Sequence, residues 1–163
     1  SGDSGSNSRA HATTTSVPPT RTKRRAPTRS RSLPLNAEAI PHLIAAGGGS
    51  VVNISSAQSV VGMSGFAAYG AAKGAINAIT RSLAVDNAAH GIRVNTIVVG
   101  RVISHKADTG VGVGPGHLTR LGIPSDIAHC ATWLASDESA FVTGSLVTAD
   151  GGFSINGNAI AGI

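Results

Sequence analysis

Three short runs rich in β-branched residues, separated by stretches with helical spacing, leave this chain few folds to choose from. Ser50-Val51-Val52-Asn53-Ile54-Ser55 is apolar, short and bounded by glycine and polar residues, the pattern of a strand buried inside a sheet. Residues 92–99 repeat the pattern and stop at Gly100, and residues 141–149 give a third run, closed by the turn Asp150-Gly151-Gly152. Between the first two lies a long helical stretch, 66–89, with a stripe of Ala68, Ala72, Ala75, Ile76, Ile79 and Leu83. His90-Gly91 supplies its last-turn cation and terminal glycine. Pro124 opens another helix, with Asp126 in its first turn, running to about residue 135. A shorter helix precedes the first strand. Asn36 is its expected cap, Ala39, Ile40, Leu43 and Ile44 its apolar side, Pro41 falls in its first turns, and Gly47-Gly48-Gly49 end it. Helix and strand alternate three times, so the expectation is an α/β fold: parallel strands joined by right-handed crossovers.

The core must come from residue 33 onward. Residues 1–32 are Ser, Thr, Arg and Pro almost throughout, too poor in large apolar groups to offset the entropy of ordering them. They read as a disordered basic tail, with 33–163 as the single globular unit. The tail holds seven Lys/Arg and one acid, whereas 33–163 holds six Lys/Arg and seven acids. The formal net charge of +5 is therefore a property of the tail alone, and the globular part has no basic face for a phosphate backbone. No aromatic is interleaved among the tail cations for base stacking, so nucleic acid is not an expected partner. The single Cys130 excludes an internal disulfide. No run approaches the ~20 apolar residues of a membrane helix, and nothing resembles a secretory signal. A cytoplasmic location is the expectation.

The chemistry concentrates on Tyr69-Gly70-Ala71-Ala72-Lys73 in the long helix. A spacing of four puts both side chains on one helical face. A phenol is a poor base at neutral pH, and an ammonium about 5 Å away at an effective dielectric near 20 favours its ionised form by roughly 3 kcal/mol. Ser56 stands at the end of the first strand, thirteen residues before Tyr69. Ligands of parallel sheets sit beyond the C-terminal strand ends, so a hydroxyl there is placed to bond an oxygen that the tyrosine also holds. Ser55 competes for the role, and the thirteen-residue spacing favours Ser56.

These landmarks carry a resemblance. The strand VVNISS, the Tyr-x-x-x-Lys helix, the strand IRVNTIVVG, the segment RLGIPSDIAHCATWLASDESAFVTG and the ending DGG, in that order over about residues 37–155, resemble the short-chain dehydrogenase/reductase family. The resemblance implies a partial Rossmann-like parallel sheet of about three strands with flanking helices. It implies an NAD(P)-dependent oxidoreductase that passes hydride between a nicotinamide and an alcohol or ketone, with NAD or NADP as cofactor. Tyr69 is then the general acid/base, Lys73 supports it and bonds the nicotinamide ribose, and Ser56 polarises the substrate oxygen. Gly100 and the backbone near Val102 are assigned to the carboxamide, with Ser104 where the family usually has Thr. Val99 replaces the proline that the family usually places before that glycine. The family also implies an oligomer, homomeric or heteromeric, through the long helix and the last strand.

The sequence departs from the family in its front part. No glycine-rich turn after a strand precedes Ser56, so the pyrophosphate site is expected to be missing and cofactor binding weakened or lost. The family's additional catalytic Asn has no match: Asn36 stands too close to Ser56, and the expected region holds Thr28 to Arg31. The alternative function is a catalytically inactive fragment that only assembles with a full-length relative, and the strand ending in Ser55 is expected to present an open edge. The glycine run from Gly110 to Gly116 has the wrong spacing for a dinucleotide fingerprint and contains proline, so 101–119 reads as a loop over the site. His42, His90, His105, His117 and His129 lack metal-pair spacing, and no metal is expected. His129, Cys130, Trp133 and Leu134 read as packing residues of the last helix.

Overall fold

The computed structural model describes residues 32–103 and 116–156, with the backbone alone for 32–35. Three strands form one parallel sheet in the order β1-β2-β3: β1 is Gly49–Ser56, β2 is Ile92–Val99 and β3 is Leu146–Ala149. β1 and β2 pair over their whole length, from Gly49 opposite Ile92 to Ser56 opposite Val99. Helices α1 (Ser32–Ala45), α2 (Ala67–Asn87) and α3 (Pro124–Ala135) connect or flank them, giving the expected alternation.

The pleat of β2 sorts the helices onto two faces. Ile92, Val94 and Thr96 point toward α1 and α2: Ile92 and Val94 pack with Ala84, Leu83, Ile40, Leu43 and Val51, and Thr96 bonds Thr80 of α2. Arg93 and Asn95 point the other way, Arg93 toward the C-terminal end of α3. β2 is thus covered on both faces, and Val94, Asn95, Thr96 and Ile97 are fully buried. The turns entering β1 and β2 are glycine-built. Gly48 and Gly91 have positive φ, and a Cβ on Gly48 would lie 2.9 Å from the Gly91 carbonyl oxygen.

A buried polar chain crosses the α1–α2 face. Asn36 Nδ2 donates to Asn53 Oδ1 at 3.2 Å, Asn53 Nδ2 to Thr80 Oγ1 at 3.0 Å, and Thr80 and Thr96 share a hydroxyl bond of 2.6 Å. This corrects two expectations. α1 begins at Ser32, so Asn36 is an interior residue rather than a cap, and Pro41 falls in the helix interior rather than its first turns. The side chain of Asn36 is bound to the strand, which is a tertiary contact with no local signal.

Other expectations are also revised. β3 starts at Leu146 rather than 141, because side chains of β2 and its neighbours occupy the preceding backbone. Asn95 Nδ2 bonds the Val142 carbonyl, Asn95 Oδ1 accepts from Ser145 N, and Thr143 Oγ1 accepts from Val94 N. Gly144 then turns with φ 69°, and Phe141 is fully exposed. On α3, Leu134 is buried as expected, but His129 is exposed and Trp133 is 37% exposed. On α2, Ala68 and Ala75 are exposed, and the buried face is Ile76, Asn77, Thr80, Ala84 and Asn87. β1 lies at a sheet edge, as anticipated, with Ile54 42% exposed. Residues 1–31 of the basic tail, Ser104, His105 and most of the glycine run fall outside the described residues. No helix among the described residues is long and apolar enough to cross a membrane.

Candidate active site

The C-terminal ends of β1 and β2 open onto a cavity of about 330 Å³, within the size range of small-molecule sites. β1 delivers Ser56 to it, and the short 3₁₀ turn Ala57–Ser59 follows at once. Ser56 Oγ accepts from Gln58 N at 3.4 Å, while its carbonyl accepts from Ser59 Oγ at 2.6 Å, so the strand end is held from both sides. Asn77 of α2 donates to Ser59 Oγ at 2.8 Å and ties this turn to the helix.

Tyr69 enters the same cavity from the first turn of α2. Its ring meets Phe66 edge-on at 6.2 Å. Gly70 fixes how closely the helix approaches: a Cβ there would lie 2.8 Å from the Gln58 carbonyl oxygen. Lys73 sits one turn on, its Nζ 5.8 Å from the centre of the Tyr69 ring, and donates to the Ile54 carbonyl at 3.1 Å. The four-residue spacing therefore places the ammonium beside the phenol. Ser55 points to the other side, where its hydroxyl donates to the Lys73 carbonyl at 3.0 Å. Of the two competing serines, Ser56 is the one at the cavity.

β2 contributes Val99, and Gly100 and Arg101 follow it directly. A Cβ on Gly100 would lie 2.5 Å from Asp150 Cα, so this glycine permits the close pass of the 150–152 turn. The Asp150 carboxylate accepts from Gly152 N at 2.9 Å and Ser154 N at 2.8 Å, which fixes that turn. Val102 forms a parallel bridge with Gly122 through its neighbours: Gly122 N donates to the Arg101 carbonyl and Ile103 N to the Gly122 carbonyl. In such a bridge the amide and carbonyl of Val102 itself face away from Gly122, and no backbone bond among the described residues uses them. Ser104 lies outside the described residues.

Met63, His117 and Phe153 complete the wall, and the sequence reading missed all three as site residues. His117 is buried and its ring lies 5.2 Å from that of Phe153. No spacing rule links 63, 117 and 153 to Ser56. A second cavity of about 350 Å³ adjoins, sharing Arg101 and reaching Arg120 and Asp126. Arg120 grips Asp126 with two bonds of 2.7 and 2.8 Å. That hydrogen-bonded pairing, with a further bond from Ile123 N, holds the Asp126 carboxyl well below the usual carboxylate range. No group of three metal-ligating side chains occurs among the described residues.

The fit to a nicotinamide cofactor is one-sided. Tyr69 lines the cavity with the Lys73 ammonium beside it, donors of the kind that bond a ribose, and among the described residues no backbone bond uses the Val102 amide and carbonyl. Among the described residues no glycine turn leads from a strand into a helix long enough to hold a pyrophosphate, since β1 runs into a three-residue 3₁₀ turn.

The family model described as Enoyl-(Acyl carrier protein) reductase matches residues 6–154, a match that begins inside the stretch read from sequence as a tail. The chain is 38% identical over 121 residues to cis-4-hydroxycyclohexanecarboxylate dehydrogenase of Sinomonas cyclohexanicum, covering 71% of this chain and 49% of that protein. It is 39% identical over 126 residues to 7alpha-hydroxysteroid dehydrogenase of Clostridium sardiniense, covering 72% and 47% respectively. Among solved structures, acetoin dehydrogenase from Salmonella typhimurium superposes with a TM-score of 0.69 at 30% identity, covering 76% of this chain and 50% of that one. A short-chain type dehydrogenase/reductase from Mycobacterium ulcerans gives 0.67 at 27% identity, covering 80% and 56%. The chain thus spans about half the length of the curated relatives it matches.

Proposed function

This chain belongs to the short-chain dehydrogenase/reductase family, and from that membership we propose that its cavity interconverts a small alcohol and its ketone with NAD or NADP. One observation carries the reading. Ser56 from β1 and Tyr69 from α2 line one cavity at the C-terminal edge of the sheet, with the Lys73 ammonium 5.8 Å from the tyrosine ring.

In the ketone direction, the Ser56 hydroxyl donates a hydrogen bond to the substrate carbonyl and orients it. Tyr69 donates its phenolic proton to that same oxygen as the carbon is reduced, so the product is a secondary alcohol and the phenolate is reprotonated from water. The Lys73 ammonium is held beside the ring by its bond to the Ile54 carbonyl. A bound nicotinamide supplies or accepts the hydride. Tyr69, Lys73 and the Val102 backbone would hold its nicotinamide end, with Gly100 keeping the adjoining turn close.

The test is titration with NADH and with NADPH, followed by energy transfer from Trp133, the sole tryptophan. Saturable binding is expected, with turnover of a ketone lost about 100-fold or more in Tyr69→Phe. No saturation at millimolar cofactor removes the reading for this chain. The second reading, a catalytically inactive fragment that only assembles with a full-length relative, draws on β1 standing at the sheet edge with Ile54 exposed. Co-purification with a full-length relative supports it, and a single monomeric species in sedimentation argues against it.

A further inference from the structure

We propose that the cavity selects alcohols and ketones that carry a carboxylate, with Arg101 as the residue that recognises the anion. The inference deepens the redox reading and rests on it for the position of the reacting oxygen.

Among the described residues the cavity wall holds one permanent cation, Arg101, and no carboxylate. Arg101 follows Gly100 directly at the end of the central strand, and its backbone is pinned there by the bond from Gly122 N to its carbonyl at 3.0 Å. It lines the wall shared with the adjoining cavity, where two acids stand. Both acids are committed elsewhere. Asp126 is taken by Arg120 in a bidentate pair and by Ile123 N, and Asp150 by Gly152 N and Ser154 N. Among the described residues the Arg101 guanidinium makes no hydrogen bond or ion pair.

Arg101 is exposed and lines the cavity, and a guanidinium so placed can receive a carboxylate because its planar fork matches two oxygens at once. Met63 and Phe153 supply apolar surface in the same cavity, suited to a short carbon skeleton. A ligand placing its carbonyl at Ser56 and Tyr69 and its anion at Arg101 fills these roles together. The same chemistry would also suit a nucleotide phosphate, and the measurement separates the two.

Dissociation constants are measured by ligand-observed NMR on the full chain for 4-oxopentanoate, the uncharged 4-oxopentanamide, pentanoate and nicotinamide mononucleotide. The acid is expected to bind about fivefold tighter than its amide, the factor that about 1 kcal/mol from a partly exposed ion pair represents. Arg101→Met is expected to bring acid and amide within a factor of about two, and Arg101→Lys to keep part of the preference. Equal binding of acid and amide by the unaltered protein, no binding of the acid, or a preference that survives Arg101→Met overturns the proposal. If the preference survives while nicotinamide mononucleotide weakens, Arg101 serves a phosphate instead. Pentanoate tests the redox reading separately. Should it bind as tightly as 4-oxopentanoate, with Tyr69→Phe changing neither, the carbonyl assignment falls while the Arg101 assignment stands.

Discussion

Substituting Gly70 by alanine tests how the site is held together, because one methyl group reaches from α2 to the strand end that bears Ser56. The added Cβ would stand 2.8 Å from the Gln58 carbonyl oxygen. That is about 0.7 Å short of the ~3.5 Å at which a carbon contact is comfortable. Neither side yields freely. The turn at Gln58 is bonded to Ser56 and, through Ser59, to Asn77 of the same helix. Alanine inside a helix is worth about 1 kcal/mol over glycine, and overpacking costs about 1–3 kcal/mol, so the net expectation is a loss of about 1 kcal/mol. That corresponds to a melting temperature lower by about 4 °C. Any retreat moves Tyr69, the adjacent residue, away from Ser56, and a displacement of that size is expected to cut turnover about tenfold. Gly74 is the control. It lies one turn along the same helix with nothing within 4 Å of an added Cβ, so Gly74→Ala is expected to stabilise the protein by about 0.5–1 kcal/mol and leave turnover alone. Thermal melts of the two variants decide the matter. If Gly70→Ala stabilises as Gly74→Ala does, the close approach is not what positions the helix.

Three further outcomes follow from the structure. Thr80→Val removes the hydroxyl that joins Asn53 to Thr96 in the buried polar chain and is expected to cost about 2–3 kcal/mol in urea unfolding, with Thr80→Ser largely restoring it. Arg93→Met is milder, about 1–2 kcal/mol, because the carbonyls it releases keep partners: Leu134 O still accepts from the Ser50 hydroxyl, and Ser136 O from Ser139 N; a loss above about 4 kcal/mol would show that those secondary bonds fail without it. The depressed Asp126 carboxyl contributes stability that is present above about pH 4, its unfolded value, and lost as pH falls further. Asp126→Asn should therefore flatten the acid limb of stability in denaturant melts compared at pH 6 and pH 3, and added salt should shrink the difference, since the pair with Arg120 is partly exposed.

Local pattern settled the elements whose signals are local. The strand 92–99 and the helix 124–135 lie at the residues their periodicity, terminal proline and glycines indicate, because those signals act within one turn or one pleat. The same holds for Tyr69 and Lys73, which share a face by helical geometry alone, and for Ser56, which the strand carries to the open end of the sheet. What the sequence could not decide were interactions between distant segments. Asn36 reads as a cap until Asn53, seventeen residues away, takes its side chain. The third strand reads as nine residues until Asn95 captures the backbone at Val142 and Ser145. The cavity wall gathers Met63, Arg101, His117 and Phe153 from four separate segments. Periodicity records which face a residue shows its own element. Which side chain meets it from across the sheet is fixed only when the layers close, and there the tertiary structure alone chose the partners of the site.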